Sequence, residues 1–249
     1  PPLADMERIG TDADLSQEYF TAPRLCSDFI GFVHTRPPFD NPQVRKAFAT
    51  AIDRVSLVEN VIKGGQVPAH SFVPPGMFGN VADDMSIGGY LLEPDYADQV
   101  AQAQAWLAEA GYAEGEGIDI ILGHDTAEGQ TQLAQAVQGM WQEAFPEAKV
   151  RIESQEWGVY IDTLMPDSPD EEKPDAFRLG VCADYLDAND LLPIFSPESD
   201  TNLIKYNSSE YGDLVAAAAT ETDPAKRQEL YRQAEDIFIN QDAGLAPLY

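Results

Sequence analysis

The apolar positions of this chain fall into two alternating patterns. Short apolar or alternating runs at residues 27–35, 118–122, 150–156, 176–182 and 244–249 read as strands. Between them the spacing changes. After Asn41, a good N-cap, and Pro42, suited to a first helical position, Val44, Phe48, Ile52, Val55, Val58 and Ile62 recur at intervals of three and four. That spacing predicts one helix with a buried face, stopped by Gly64-Gly65. A second helix is predicted from residue 94 or 95 to 110, carrying Val100, Trp106 and Leu107 and capped by Gly111. A third, over about 130–145, presents Leu133, Val137, Met140, Trp141 and Ala144 on one side.

Two more helices are predicted near the end, at about 209–219 and from the Asp223-Pro224 start to about 240, the latter turning Leu230, Ala234, Ile237 and Phe238 to the core. Residues 166–175, rich in proline and acids, predict an exposed loop. Alternation of this kind predicts an α/β fold, a sheet covered by helices rather than a sandwich or bundle. No repeat or low-complexity tract interrupts it.

With 249 residues and 44% hydrophobic content the chain can bury one sizeable core, or two small ones. Charge is the outlier. There are 43 acidic against 15 basic residues, a formal net charge of -28. Such a field repels phosphate backbones and anionic headgroups, which argues against nucleic-acid or membrane-surface binding. A hydrated acidic surface suited to solubility or a salty habitat accounts for the excess, with a cation-attracting role as the alternative. No run of about 18 apolar residues exists to span a bilayer. The start at Pro1-Pro2-Leu3, with no leader pattern, reads as a mature or trimmed fragment.

Sites of chemistry are few. Cys26 and Cys182 lack the spacing of a zinc site or a thioredoxin-like pair, and the residues alone leave a disulfide and two buried thiols both open. His34, His70 and His124 are scattered without ligand spacing, and no Gly-x-Ser-x-Gly, P-loop or Gly-x-Gly-x-x-Gly motif appears. Acid pairs carry no signal in so acidic a chain. The expectation is a protein that is not an enzyme and carries no metal or cofactor.

One segment does concentrate chemistry. Arg178-Leu179-Gly180-Val181-Cys182-Ala183-Asp184-Tyr185 brings an arginine, a cysteine and an acid to the end of a strand-like run. A carboxylate there must be solvated, paired or used. By itself Asp184 could cap the next turn or pair with a lysine, and Arg178, on the same face by strand alternation, could simply neutralise the acid-rich lobe. In an α/β lobe such strand ends face a cleft.

Several separated motifs give this pattern a family. Pro37-Pro38-Phe39, Val44-Arg45-x-Ala47, Ala51-Ile52-Asp53-Arg54, Val73-Pro74-Pro75-Gly76, Ala108-Glu109-Ala110-Gly111-Tyr112, Gln155-Glu156-Trp157, Cys182-Ala183-Asp184-Tyr185 and Pro247-Leu248-Tyr249 occur in this order. Together they resemble the family 5 extracellular solute-binding proteins of ABC importers, and within them the oligopeptide-binding group. The resemblance implies a periplasmic-binding-protein-like lobe (type II, cluster C) with a mixed sheet flanked by helices. Residues 28–249 would be one ligand-binding lobe of a two-lobed protein, and 1–27 a poorly matched lead-in from the other.

It further implies a disulfide between Cys26 and Cys182. Asp184 would receive the α-ammonium of a peptide, the backbone of Gly180 and Cys182 would pair with its main chain as an added strand does, and Arg178 would meet the carboxylate end of a short ligand. Trp157 would line a side-chain pocket unless it is an ordinary core residue, with Tyr185 as support. Some positions depart from the group. Val181 stands where a tryptophan is common, Leu164 and Met165 near positions that carry basic pocket residues, and His34 where an asparagine is common, so the pockets are expected to be more apolar and less welcoming to acidic side chains.

The implied partners are a peptide and an ABC permease and ATPase complex, with no nucleic acid and a monomeric receptor. The implied location is periplasmic or on the extracellular face of the membrane, with a lipid anchor in the full-length protein as an option. A receptor for an oligosaccharide or nickel chelate, and an interaction module that has lost transport, are the alternatives.

Overall fold

The computed structural model describes residues 5–20, 22 and 24–249, so the expected lead-in is described only in part, residues 1–4, 21 and 23 lying outside the described residues. Two short helices, α1 (Met6–Thr11) and α2 (Leu15–Glu18), precede the first strand. Five strands then form one mixed sheet among the described residues: β1 (Cys26–Phe32), β2 (Asp119–Asp125), β3 (Lys149–Gln155), β4 (Ala176–Cys182) and β5 (Leu245–Pro247). Their order is β3-β2-β4-β1-β5. β2 runs parallel to β3 and β4, whereas β1 is antiparallel to both β4 and β5. The expected mixed sheet flanked by helices is the fold observed.

The flanking helices are α3 (Pro42–Thr50), α4 (Arg54–Ser56), α5 (Tyr96–Glu109), α6 (Glu128–Ala144), α7 (Trp157–Leu164), α8 (Ser209–Thr220) and α9 (Pro224–Glu235). The single helix expected from Pro42 onwards is broken. The chain leaves the helix at Ala51, Asp53 restarts it by accepting from the Ser56 amide at 2.8 Å, and a π-helical turn (Leu57–Ile62) follows. The break turns Val55 outward, 47% exposed, although Val44, Phe48, Ile52, Val58 and Ile62 are buried as the spacing implies. α5 starts on Asp95 and ends before Gly111, whose φ of +92° is the left-handed geometry of a helix C-terminus.

Residues 166–175 are also more integrated than expected. Lys173 is buried, because Arg36 gathers the loop by donating to the Asp170 and Lys173 carbonyls and pairing with Asp175 at 3.0 Å.

Two buried arginines tie helices to distant backbone with no carboxylate partner among the described residues. Arg45 donates to the carbonyls of Phe39, Asp242 and Ala243, and Arg54 to those of Ala49, Ile52 and Pro247. His34 completes this framework with a ring nitrogen 2.8 Å from the Gly244 carbonyl, and burial beside Arg45 lowers its pKa to about 3, so the ring is neutral. The core holds an aromatic cluster of Phe29, Phe72, Phe195, Tyr206, Tyr211 and Phe238.

Glu235 lies wholly buried at the end of α9, accepting from the amides of Phe72 and Val73 at 3.1 and 2.8 Å. Burial outweighs those bonds and pushes its pKa from 4.5 up to about 7. The folded protein therefore keeps a proton that the unfolded chain releases near pH 4.5, and stability is lost as pH rises through that window. The expected loss is about 3 kcal/mol between pH 4.5 and 7. Urea unfolding across this range should show a steeper decline for the wild type than for Glu235→Gln, and parallel profiles would refute the assignment.

Candidate functional site

The topology brings distant segments to one edge of the sheet. Parallel β2, β3 and β4 all end there, and antiparallel β1 begins there. Cys26 and Cys182 face each other across β1 and β4 and form a disulfide that joins positions 156 residues apart. In the chain-entropy account a loop of that length is worth up to about 5 kcal/mol. Its local effect is to hold the end of β4 to β1.

On its other side β4 is unpaired by any described strand beyond Phe177. β2 stays paired with β3 as far as Asp125 opposite Gln155, yet parts from β4 after Gly123 opposite Phe177. Tyr160, buried on α7, fills the opening with its hydroxyl 3.0 Å from the Gly123 carbonyl and 2.8 Å from that of Arg178. The Ala183 amide donates to Leu25 at 2.7 Å, which places the odd-numbered residues of β4 in hydrogen-bonded pairs with β1. Arg178, Gly180 and Cys182 therefore direct their backbone groups away from β1, to the open side. An extended ligand would find unpaired strand backbone at Gly180 and Cys182.

Just beyond β4 the chain makes a tight acidic loop. Asp190 accepts from the amides of Asp184 and Tyr185 at 2.5 and 3.4 Å, and Asp187 accepts from the Asn189 amide at 2.9 Å. These neighbours perform the capping that the sequence left open for Asp184. The Asp184 carboxylate is exposed and accepts no hydrogen bond or ion pair from any described residue. Tyr185, 48% exposed, accepts at its hydroxyl from the Asn189 side chain at 3.1 Å.

Arg178 is engaged below this surface. Its guanidinium pairs with Asp28 on β1, with side chains only 10% and 15% exposed. Asp28 sits opposite Gly180, where a Cβ would come within 2.9 Å of its carboxylate, so glycine leaves the room the pair needs. Trp157 opens α7 at the end of β3 and is 52% exposed, so it is not a core residue. Val181 is half-buried. The site residues named from the sequence thus gather at one edge, with Arg178 beneath it. A separate recess of about 360 Å³ lined by Asp53, Arg54, Glu59 and Glu93 includes none of them.

The family model for bacterial extracellular solute-binding proteins, family 5 Middle, matches residues 1–202. The chain belongs to this family. The oligopeptide-binding protein OppA of Bacillus subtilis is 34% identical over 214 residues, covering 85% of this chain and 37% of its own length. The Escherichia coli murein tripeptide-binding protein MppA superposes with a TM-score of 0.87 at 25% identity, over 100% of this chain and 46% of that one. Haemophilus influenzae OppA, solved in complex with the peptide RPPGFSPFR, superposes at 0.81 with 26% identity, over 96% and 46%. The chain therefore spans less than half the length of these relatives. Family members are substrate-binding transport proteins.

Sequence reasoning overlooked the residues that support the edge: Asp28, Tyr160, Asp187, Asp190 and Arg227, a residue of α9 whose guanidinium pairs with Asp187 at 2.7 Å. Asp187 carried a local turn signal, since an aspartate side chain readily holds the amide two residues on, as it does for Asn189, whereas the reach of Asp190 back to the Asp184 and Tyr185 amides had none. The pairing of Asp28 with Arg178 had no local signal, because the two lie on strands that only the fold makes neighbours.

Removing Asp28 leaves a nearly buried guanidinium without its counter-charge. Asp28→Ala is expected to destabilise the protein by about 3 kcal/mol or more, and the double variant Asp28→Leu with Arg178→Met to recover most of that. Chemical denaturation measures both, and additive losses in the double variant would show that the pair is not coupled.

Proposed function

We propose that residues 28–249 are the ligand-binding lobe of a two-lobed peptide receptor, with 1–27 as its lead-in, and that the intact protein delivers peptides to an ABC permease and ATPase complex. The observation that carries this reading is an exposed carboxylate without a partner among the described residues, beside strand backbone left open past Phe177. Asp184 takes the α-ammonium of the peptide. Gly180 and Cys182 pair with its main chain as with an added strand, a mode that ignores side-chain identity. Trp157, Val181 and Tyr185 offer apolar and aromatic walls to side chains, while Arg178 serves from below, balanced by Asp28.

The chemistry is binding, not catalysis. Between unit charges about 4 Å apart at an effective dielectric of 20 the attraction is about 4 kcal/mol, and desolvating both ions removes much of it. Main-chain pairing and enclosure between lobes supply the rest, so this lobe alone binds weakly. A disulfide beside the site suits a periplasmic or extracellular location.

Calorimetry of the full-length protein with a tripeptide and its N-acetylated form tests the role of Asp184. Acetylation is expected to weaken binding about tenfold or more, and Asp184→Ala to weaken binding of the free peptide by a similar factor. Unchanged affinity in Asp184→Ala would remove the assignment.

A further inference from the structure

The loop that carries Asp184 is fastened from behind. Asp187 receives a two-pronged contact from Arg227 on α9, with Nη1 to Oδ2 at 2.7 Å and Nη2 to Oδ1 at 2.9 Å. Tyr231, one turn along α9, adds its hydroxyl to Oδ1 at 3.1 Å. Arg227 is itself oriented, since its Nε donates to the Ala218 carbonyl at 2.9 Å and its guanidinium lies over the rings of Phe78 and Tyr231. Phe78 meets the same loop through its backbone, donating to Leu186 and accepting from Ala188.

Three carboxylates, Asp184, Asp187 and Asp190, stand within seven residues of chain, and among the described residues Arg227 is the cation paired with any of them. The Arg227 pair offsets one of three like charges crowded in the turn, the same turn in which Asp190 accepts from the Asp184 amide.

We propose that Arg227 is a positioning residue for the ammonium site: through Asp187 it holds the 184–190 turn in the one geometry that presents Asp184 to the amino end of a ligand. This rests on the reading of Asp184 given above. Arg227 touches no ligand in this scheme. Its loss acts on discrimination between a free and a blocked amino terminus, rather than on main-chain pairing along β4.

The test compares a tripeptide with its N-acetylated form by calorimetry on the full-length protein, in wild type, Asp184→Ala, Arg227→Met and Tyr231→Phe. The wild type should favour the free amine about tenfold or more, and Arg227→Met should reduce that preference to about threefold or less while leaving the acetylated peptide's affinity within about twofold. Tyr231→Phe, which removes one hydroxyl without opening a large cavity, should reduce the preference in the same sense by a smaller factor, and decides the matter alone if Arg227→Met does not fold. Full preference in the folded clamp variants, whatever their melting temperatures, would overturn the proposal. A preference that survives Asp184→Ala would instead overturn the ammonium-site reading, a distinct outcome.

Discussion

The arrangement at this edge of the sheet depends on the last residues of β4 being held on one side only. β1 and the Cys26–Cys182 disulfide fix one flank of its last residues, while β2 parts from the other flank after Phe177. A strand paired on both sides would have no backbone to offer, and one held on neither would pay the entropy of ordering when a ligand arrived. Tyr160 makes the one-sided state tenable by meeting carbonyls that the parting strands expose, where an unsatisfied buried group would otherwise cost about 1–3 kcal/mol.

Charge explains how the few basic residues are placed. In a chain with 15 of them against 43 acids, Arg36, Arg178 and Arg227 each pair with one aspartate, Asp175, Asp28 and Asp187, while Arg45 and Arg54 bind carbonyls. The contacts of Arg36, Arg178, Arg45 and Arg54 with Asp175, Asp28, Asp242 and Pro247 join segments more than a hundred residues apart, and Arg36 and Arg45 each engage several acceptors at once, which the planar fork allows and lysine cannot match. Acids left unpaired lie mostly on the surface, where hydration favours them, whereas the wholly buried Glu235 is held by backbone amides and by its raised pKa. Asp184 follows that rule by its exposure but is set apart by what surrounds it, amides held by Asp190 and a disulfide close by.

How much of this was legible from sequence varied with the range of the interaction. β4 was read to the residue at 176–182, because its run is apolar and closes on the Cys-Ala-Asp-Tyr motif. α6 and the start of α9 followed from local periodicity and capping. The break at Ala51–Asp53 escaped because the apolar spacing continues across it, and only the Asp53 side chain turning back to Ser56 marks a new start. The Cys26–Cys182 pairing was implied by family resemblance and not by the residues themselves, which left free thiols open. Arg178 shows the limit most clearly, since strand alternation put it on the face of the site, yet its depth and its partner came from a strand about 150 residues away in sequence.

Distance also separates the two ways in which a residue can serve such a site. Affinity for an ammonium depends on the carboxylate being in place before the ligand arrives, because each flexible group that must be ordered on binding takes about 0.5–1.5 kcal/mol from the result. Among the described residues Asp184 has no partner for its side chain, so its placement is set through its backbone: the disulfide on the strand side, Asp190 at its amide, and the helix α9 contacts behind Asp187. The contacts that leave its oxygens free are therefore the same ones that restrict where those oxygens can be.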